Sequence, residues 1–173
     1  MKNWDQWYLE ICNVVAKKSS CLSRQVGSVL VRDKSIISTG YNGPPRGVPH
    51  CNERYLVDNK LRWAMTHKGL SPDDKKYHNI CPRQVLGFKS GLGLHLCQAS
   101  HSERNACINA ARNGISTKGT MLYMSCGIPC KDCLVELINF GVEEIIVTKL
   151  TYYDELSEWV LKNSNLKYRL YNI

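Results

Sequence analysis

The spacing of apolar residues divides this chain into elements. Trp4, Tyr8, Ile11, Cys12 and Val15 recur at helical intervals, predicting an amphipathic helix over residues 3–18 that packs on a sheet. Asn3 can cap it, and Lys17-Lys18 ends it with positive charge. Val26 to Arg32 reads as a buried strand and Ser35 to Gly40 as its partner, with Asp33-Lys34 as the turn. Ser102 to Asn113 reads as helix, with Ala106, Ile108, Ala110 and Ala111 along it. Pro129 suits the first turn of another helix, whose buried stripe is Leu134, Leu137 and Ile138. Thr120 to Ser125 and Val142 to Thr148 are strands, Asp154 to Leu161 a helix, and Tyr168 to Tyr171 a last strand. After the hairpin, strands alternate with helices. The expected fold class is therefore α/β: a mixed five-stranded sheet covered on both faces, in three α/β/α layers.

Residues 52–80 break this rhythm. Arg54-Tyr55-Leu56 and Leu61 to Met65 carry short helix, and Pro72-Asp73-Asp74-Lys75-Lys76 is a polar break. A long segment of weak periodicity reads as an excursion or a partner surface. The expected organisation is a single domain over residues 1–173 with an insertion at 52–80. A length of 173 residues suits one domain with a real core.

Composition narrows the setting. No run of about 18 apolar residues exists, and the first residues lack a signal-peptide core, so a cytoplasmic protein with no membrane partner is expected. Nine cysteines in such a chain argue for metal ligands or free thiols over a disulfide framework. The formal charge of +8 suggests an anionic partner, either a nucleic acid or a nucleotide phosphate. No dense Lys/Arg stripe marks a stable nucleic-acid partner.

The chemistry gathers between His101 and Cys133. His101-Ser102-Glu103 places an imidazole and a carboxylate two residues apart, and Pro129-Cys130-Lys131-Asp132-Cys133 supplies two thiols. Catalytic zinc keeps three nitrogen or sulfur ligands and one open position. His101, Cys130 and Cys133 meet that count, leaving Glu103 beside the metal without ligand duty. Each piece opens a helix, so two positive helix ends would face the site. In an α/β sheet such a site belongs at the carboxyl ends of strands.

The His-x-Glu and Pro-Cys-x-x-Cys pair is the signature of zinc nucleobase deaminases. With Cys21-Leu22-Ser23-Arg24-Gln25-Val26-Gly27, Gly40-Tyr41-Asn42-Gly43-Pro44-Pro45, His50-Cys51, Cys81-Pro82-Arg83, Ser90-Gly91 and Cys97, it makes the chain resemble the deoxycytidylate deaminase branch of the cytidine-deaminase-like fold. The resemblance implies hydrolysis of dCMP to dUMP and ammonia, supplying a dTMP precursor. It implies a catalytic Zn2+ on His101, Cys130 and Cys133, with Glu103 as the proton carrier for attack at C4. It makes Asn42 a contact to the deoxyribose, although a plain turn also accounts for that loop. It makes Tyr153 an aromatic near the substrate, and Arg24 and Arg112 cations for the 5′-phosphate or a neighbouring subunit. A solvated surface charge is the alternative for each arginine. Family members usually carry alanine where this chain has Ser102, whose hydroxyl is placed to alter base contacts. By the same resemblance, Gly40, Tyr41, Asn42 and Gly43 form an effector loop for dCTP or dTTP with Mg2+, and the chain forms a homo-oligomer, a hexamer.

Cys21, Cys51, Cys81 and Cys97 fall in expected loops or element ends and accompany the family's pieces. They suit a second, structural Zn2+, with His50 or His95 able to replace one of them. Four reduced thiols are the alternative. Two rival functions remain. One is an adenosine deaminase acting on RNA, against which the Gly-Tyr-Asn-Gly-Pro-Pro loop speaks. The other is a zinc-stabilised nucleic-acid-binding module, which leaves Glu103 unexplained.

Overall fold

The computed structural model describes residues 3–89 and 91–171. Ser90, one of the residues carrying the resemblance, lies outside them. The chain forms two compact units, one of residues 1–19, 26–42 and 101–173, the other of residues 20–25 and 43–100.

The first unit carries α1 (Trp4–Ala16), β1 (Gly27–Arg32) and β2 (Ser35–Tyr41) before the second unit interrupts it. The second unit holds α2 (Cys51–Val57), α3 (Asn59–His67) and the short α4 (Pro82–Val85). The first unit then resumes with α5 (Ser102–Arg112), β3 (Thr120–Met124), α6 (Lys131–Asn139), β4 (Val142–Val147), α7 (Glu155–Lys162) and β5 (Lys167–Leu170). The sheet order is β2-β1-β3-β4-β5. β1 is antiparallel to both β2 and β3, while β3, β4 and β5 run parallel, so the sheet is mixed as expected.

Strand alternation builds the two faces. Val29 and Val31 of β1, Tyr123 of β3 and Ile146 of β4 point to one side and bury Tyr8, Leu9 and Cys12 of α1. Leu30, Leu122, Met124, Ile145 and Val147 point to the other side, against Ala106 and Cys107 of α5 and Leu134 and Leu137 of α6. The buried stripe of α1 is rotated from the expected one. Leu9 and Ala16 are in it, while Trp4 is half exposed, because Gly27 draws the helix backbone against β1.

The hairpin turn at Asp33-Lys34 has positive φ at both residues, 50° and 60°. This is the type I′ geometry that matches strand twist. On the opposite face, a Cβ on Gly40 would collide with the backbone of Ser102 and Ala106. Glycine there lets α5 lie directly on β2 and so sets the height of the residues that open α5.

In the second unit the core is small. Tyr55, Leu61, Met65 and Leu86 are its fully buried apolar cluster, and the Tyr55 hydroxyl donates to the Ile80 carbonyl at 2.7 Å. The expected insertion at 52–80 lies inside this unit, which also takes in residues 20–25, 43–51 and 81–100. No helix among the described residues is long and apolar enough to cross a membrane.

Candidate active site

Two helix starts carry the site. His101 is the N-cap of α5 and Cys130 the N-cap of α6, with Cys133 in the first turn of α6. Pro129 therefore precedes the cap and is not the first helical residue, because Cys130 keeps an extended backbone with ψ of 161°. The helices are tied together by Arg104, which donates to Glu136 at 2.6 Å. The α6 start follows the carboxyl end of β3.

His101 Nδ1 lies 3.5 Å from Cys130 Sγ and 3.4 Å from Cys133 Sγ. All three ligand atoms fall within 4.8 Å of one another, and among the described residues this is the one such group. A tetrahedral zinc with Zn–S of about 2.3 Å and Zn–N of about 2.0 Å sets nitrogen and sulfur roughly 3.5 Å apart. The donor set fits zinc without rearrangement. Among themselves these groups share protons. Hydrogen bonds to Cys130 and Glu103 raise His101 to about 10, and the Cys133 and His101 donors lower Cys130 to about 5. Cys133 keeps its proton, because it bonds the neighbouring Cys130 thiolate and is buried.

Glu103 is 4% exposed and stands outside the trio, with Oε1 3.6 Å from His101 Nδ1. Burial pushes its carboxyl up, but the hydrogen bond and charge of His101 outweigh this and hold it below the usual range. The buried carboxylate thus lies beside the three candidate ligands, with an oxygen turned to His101.

Residues 2–149 match the family model described as the cytidine and deoxycytidylate deaminase zinc-binding region. The chain belongs to the cytidine and deoxycytidylate deaminase family. It is 32% identical over 169 residues to the deoxycytidylate deaminase of Enterobacteria phage T4, covering 92% of this chain and 85% of that one. It is 29% identical over 170 residues to the deoxycytidylate deaminase of Saccharomyces cerevisiae, covering 98% of this chain but 45% of that enzyme. This chain thus spans less than half the length of that yeast relative, and likewise of the Schizosaccharomyces pombe one. In fold it is similar to the dCMP deaminase of cyanophage S-TIM5 crystallised with dCMP and dUMP, at a TM-score of 0.65 and 21% identity, covering 99% of each chain.

The remaining family positions separate by place. The Tyr153 ring lies 6.1 Å from the His101 ring, beside the ligand trio. Asn42 is buried, and its Oδ1 accepts the Val26 N–H at 2.8 Å, so this side chain pins the strand end. The Tyr41 carbonyl accepts from Asn105 of α5 at 2.7 Å, and Gly43 pairs with Ser100 inside the second unit. Ser102 is fully buried, with its hydroxyl donating to Glu103 Oε2 at 3.0 Å and bonded to Ser28 at 2.7 Å. Arg112 ends α5, ten residues past Ser102 and roughly 15 Å along the helix axis. Within one chain it is remote from the trio. Arg24 is exposed and belongs to the second unit.

Two contributors escaped the sequence reading. Asp154 accepts the Lys131 N–H at 3.1 Å and the Ser157 N–H at 2.7 Å, so one carboxylate caps α6 and α7 and anchors the loop bearing Tyr153. Its cap for α7 was visible in Asp154-x-x-Ser157, but its second bond was not. Ser28 is the other, since a serine in an apolar strand gives no signal of the partner it meets.

In the second unit, Cys21, Cys51, Cys81 and Cys97 line one cavity of about 20 Å³, together with Arg54 and Arg83. Burial pushes Cys51 up to about 11, with nearby Cys81, Cys21 and Cys97 adding to the shift. Arg83 is 8% exposed, and its Nε has no hydrogen-bond partner. Neither His50 nor His95 lines this cavity. His50 Nδ1 bonds Ser20 at 2.6 Å, and His95 packs edge-on against Phe88.

Proposed function

We propose that this chain hydrolyses dCMP to dUMP and ammonia. The observation that carries the reading is Glu103, a buried carboxylate next to a zinc-ready trio yet outside it. The names of the relatives favour the deoxycytidine nucleotide over other substrates. His101, Cys130 and Cys133 would hold a zinc ion, which when bound would supply an activated water. Glu103 would take a proton from the attacking water, return one to ring N3 of the cytosine, and pass one to the leaving amine. Tyr153 walls the site beside His101, where an aromatic ring can pack on the base. Asn42 serves the sugar and Arg24 the phosphate, with Arg112 able to act only on a neighbouring subunit.

The same reading extends to a second, structural Zn2+ on Cys21, Cys51, Cys81 and Cys97. A cavity about the size of a water molecule lined by all four thiols supports it, although the sulfurs must draw together to reach the closeness of the His101 trio. A unit of roughly sixty residues with so small an apolar core also gains most from a metal staple. A homo-oligomeric, cytoplasmic enzyme that binds dCTP or dTTP with Mg2+ at Gly40, Tyr41, Asn42 and Gly43 completes the proposal.

The test is ammonia release by zinc-loaded protein given dCMP, dCTP, deoxycytidine, cytidine and an RNA hairpin. Rapid turnover of dCMP alone is expected. Release from the hairpin, with none from dCMP, would replace this reading by the RNA deaminase. Saturation curves in dCMP that do not change on adding dCTP would remove the effector claim.

A further inference from the structure

We infer that Ser28 and Ser102 form a two-hydroxyl chain that orients Glu103 for proton transfer, making both of them positioning residues. The inference rests on the reading of Glu103 as proton carrier proposed above. The Ser28 and Ser102 hydroxyl oxygens are 2.7 Å apart, and Ser102 donates to Glu103 Oε2 at 3.0 Å. Both serines are fully buried, and Glu103 nearly so. A hydroxyl has one proton to give. Ser102 gives its proton to Glu103, so it must accept from Ser28, and the direction of the whole chain follows. It runs from β1, through the first residue of α5, to the carboxylate.

This has a chemical consequence for the two oxygens. Oε2 is occupied by a donor, so it is the held oxygen. Oε1, at 3.6 Å from His101 Nδ1, is the one presented to the metal ligands. A proton placed on Oε2 would meet the Ser102 proton head-on, so the exchange with water and base falls to Oε1. A glutamate side chain has three rotatable bonds, and a neighbour fixing one oxygen keeps the other at reacting distance. The pair is specific to the local packing. Ser28 reaches Ser102 because β1 lies beneath the first turn of α5, and Gly40 of β2 lets that turn descend onto the sheet. In Ser102→Ala the carboxylate loses its donor. In Ser28→Ala the serine that remains is free to turn its proton elsewhere.

The experiment uses zinc-loaded Ser28→Ala, Ser102→Ala and the double variant, read by kcat, KM, bound zinc and crystal structure. Each single change is expected to lower kcat about tenfold, the worth of one hydrogen bond to a charged group. KM for dCMP and zinc at the trio should stay unchanged, and the double variant should be no worse than Ser102→Ala. Neither serine change should lower the residual rate of Glu103→Gln further. The crystal structures should show Glu103 Oε1 turned from His101. Unchanged kcat, or an equal loss in the Glu103→Gln background, would overturn the inference. If the parent protein turns over no cytosine nucleotide, the functional reading fails by itself. The carboxylate position in the variant crystals then decides this inference alone.

Discussion

Glu103 concentrates the chemistry at one side chain. Changing it to Gln would remove the proposed proton carrier but none of the three candidate ligands, so kcat should fall about 10²- to 10⁴-fold while zinc stays bound, checked by steady-state rates and metal analysis. The trio also sets a pH dependence in the metal-free protein. His101 is raised from 6.5 to about 10, so alone it stabilises fully below 6.5 and loses this as pH rises through 10. Cys130 is lowered from 9.0 to about 5, so alone it stabilises fully above 9 and loses this as pH falls through 5. Between 6.5 and 9 the folded pair and the unfolded pair hold the same number of protons, and the two slopes cancel. The Tm advantage of metal-free wild type over the metal-free His101→Ala, Cys130→Ser double variant should be flat across that window and shrink on either side. The grouping of the trio was legible because the spacing within each of its two pieces is a local property of sequence. Ser28 and the second bond of Asp154 were not, since their partners lie 74 and 23 residues away.

At the level of elements, periodicity placed all five strands and the main helices within a residue or two. It failed where backbone contact, not side-chain polarity, sets the geometry. The face of α1 is turned by close approach at Gly27, and Pro129 falls before its helix because Cys130 takes the cap. Gly40 gives the sharpest test. Gly40→Ala places a methyl group in the α5 backbone, which should cost about 3 kcal/mol and weaken zinc retention, measured by denaturant unfolding and chelator competition. The β1–β2 turn predicts the opposite sign. Asp33 and Lys34 both sit in the left-handed region, where Asn-Gly is preferred, so replacing the pair by Asn-Gly should stabilise by about 1 kcal/mol and raise Tm by about 3 °C.

For the whole molecule, the alternation of strands and helices gave an α/β chain, and residues 52–80 fall inside a larger compact unit. A compact unit drawing on residues 20–25 as well as 43–100 has no local signature, because its segments meet only after the chain has doubled back. The four thiols bring the prediction at this scale. Metal analysis of the purified chain should give two zinc ions, and Cys81→Ser one, with proteolysis then opening residues 43–100 first. A last consequence concerns the order of assembly. β1 pairs with β3 across Ser28↔Met124, so the second strand of the sheet waits for a partner made almost a hundred residues later. At about 5–20 residues per second, a ribosome takes several seconds to cover that gap. Meanwhile the hairpin has an unpaired, strongly apolar edge, which is the interval in which a nascent chain of this topology most needs a chaperone.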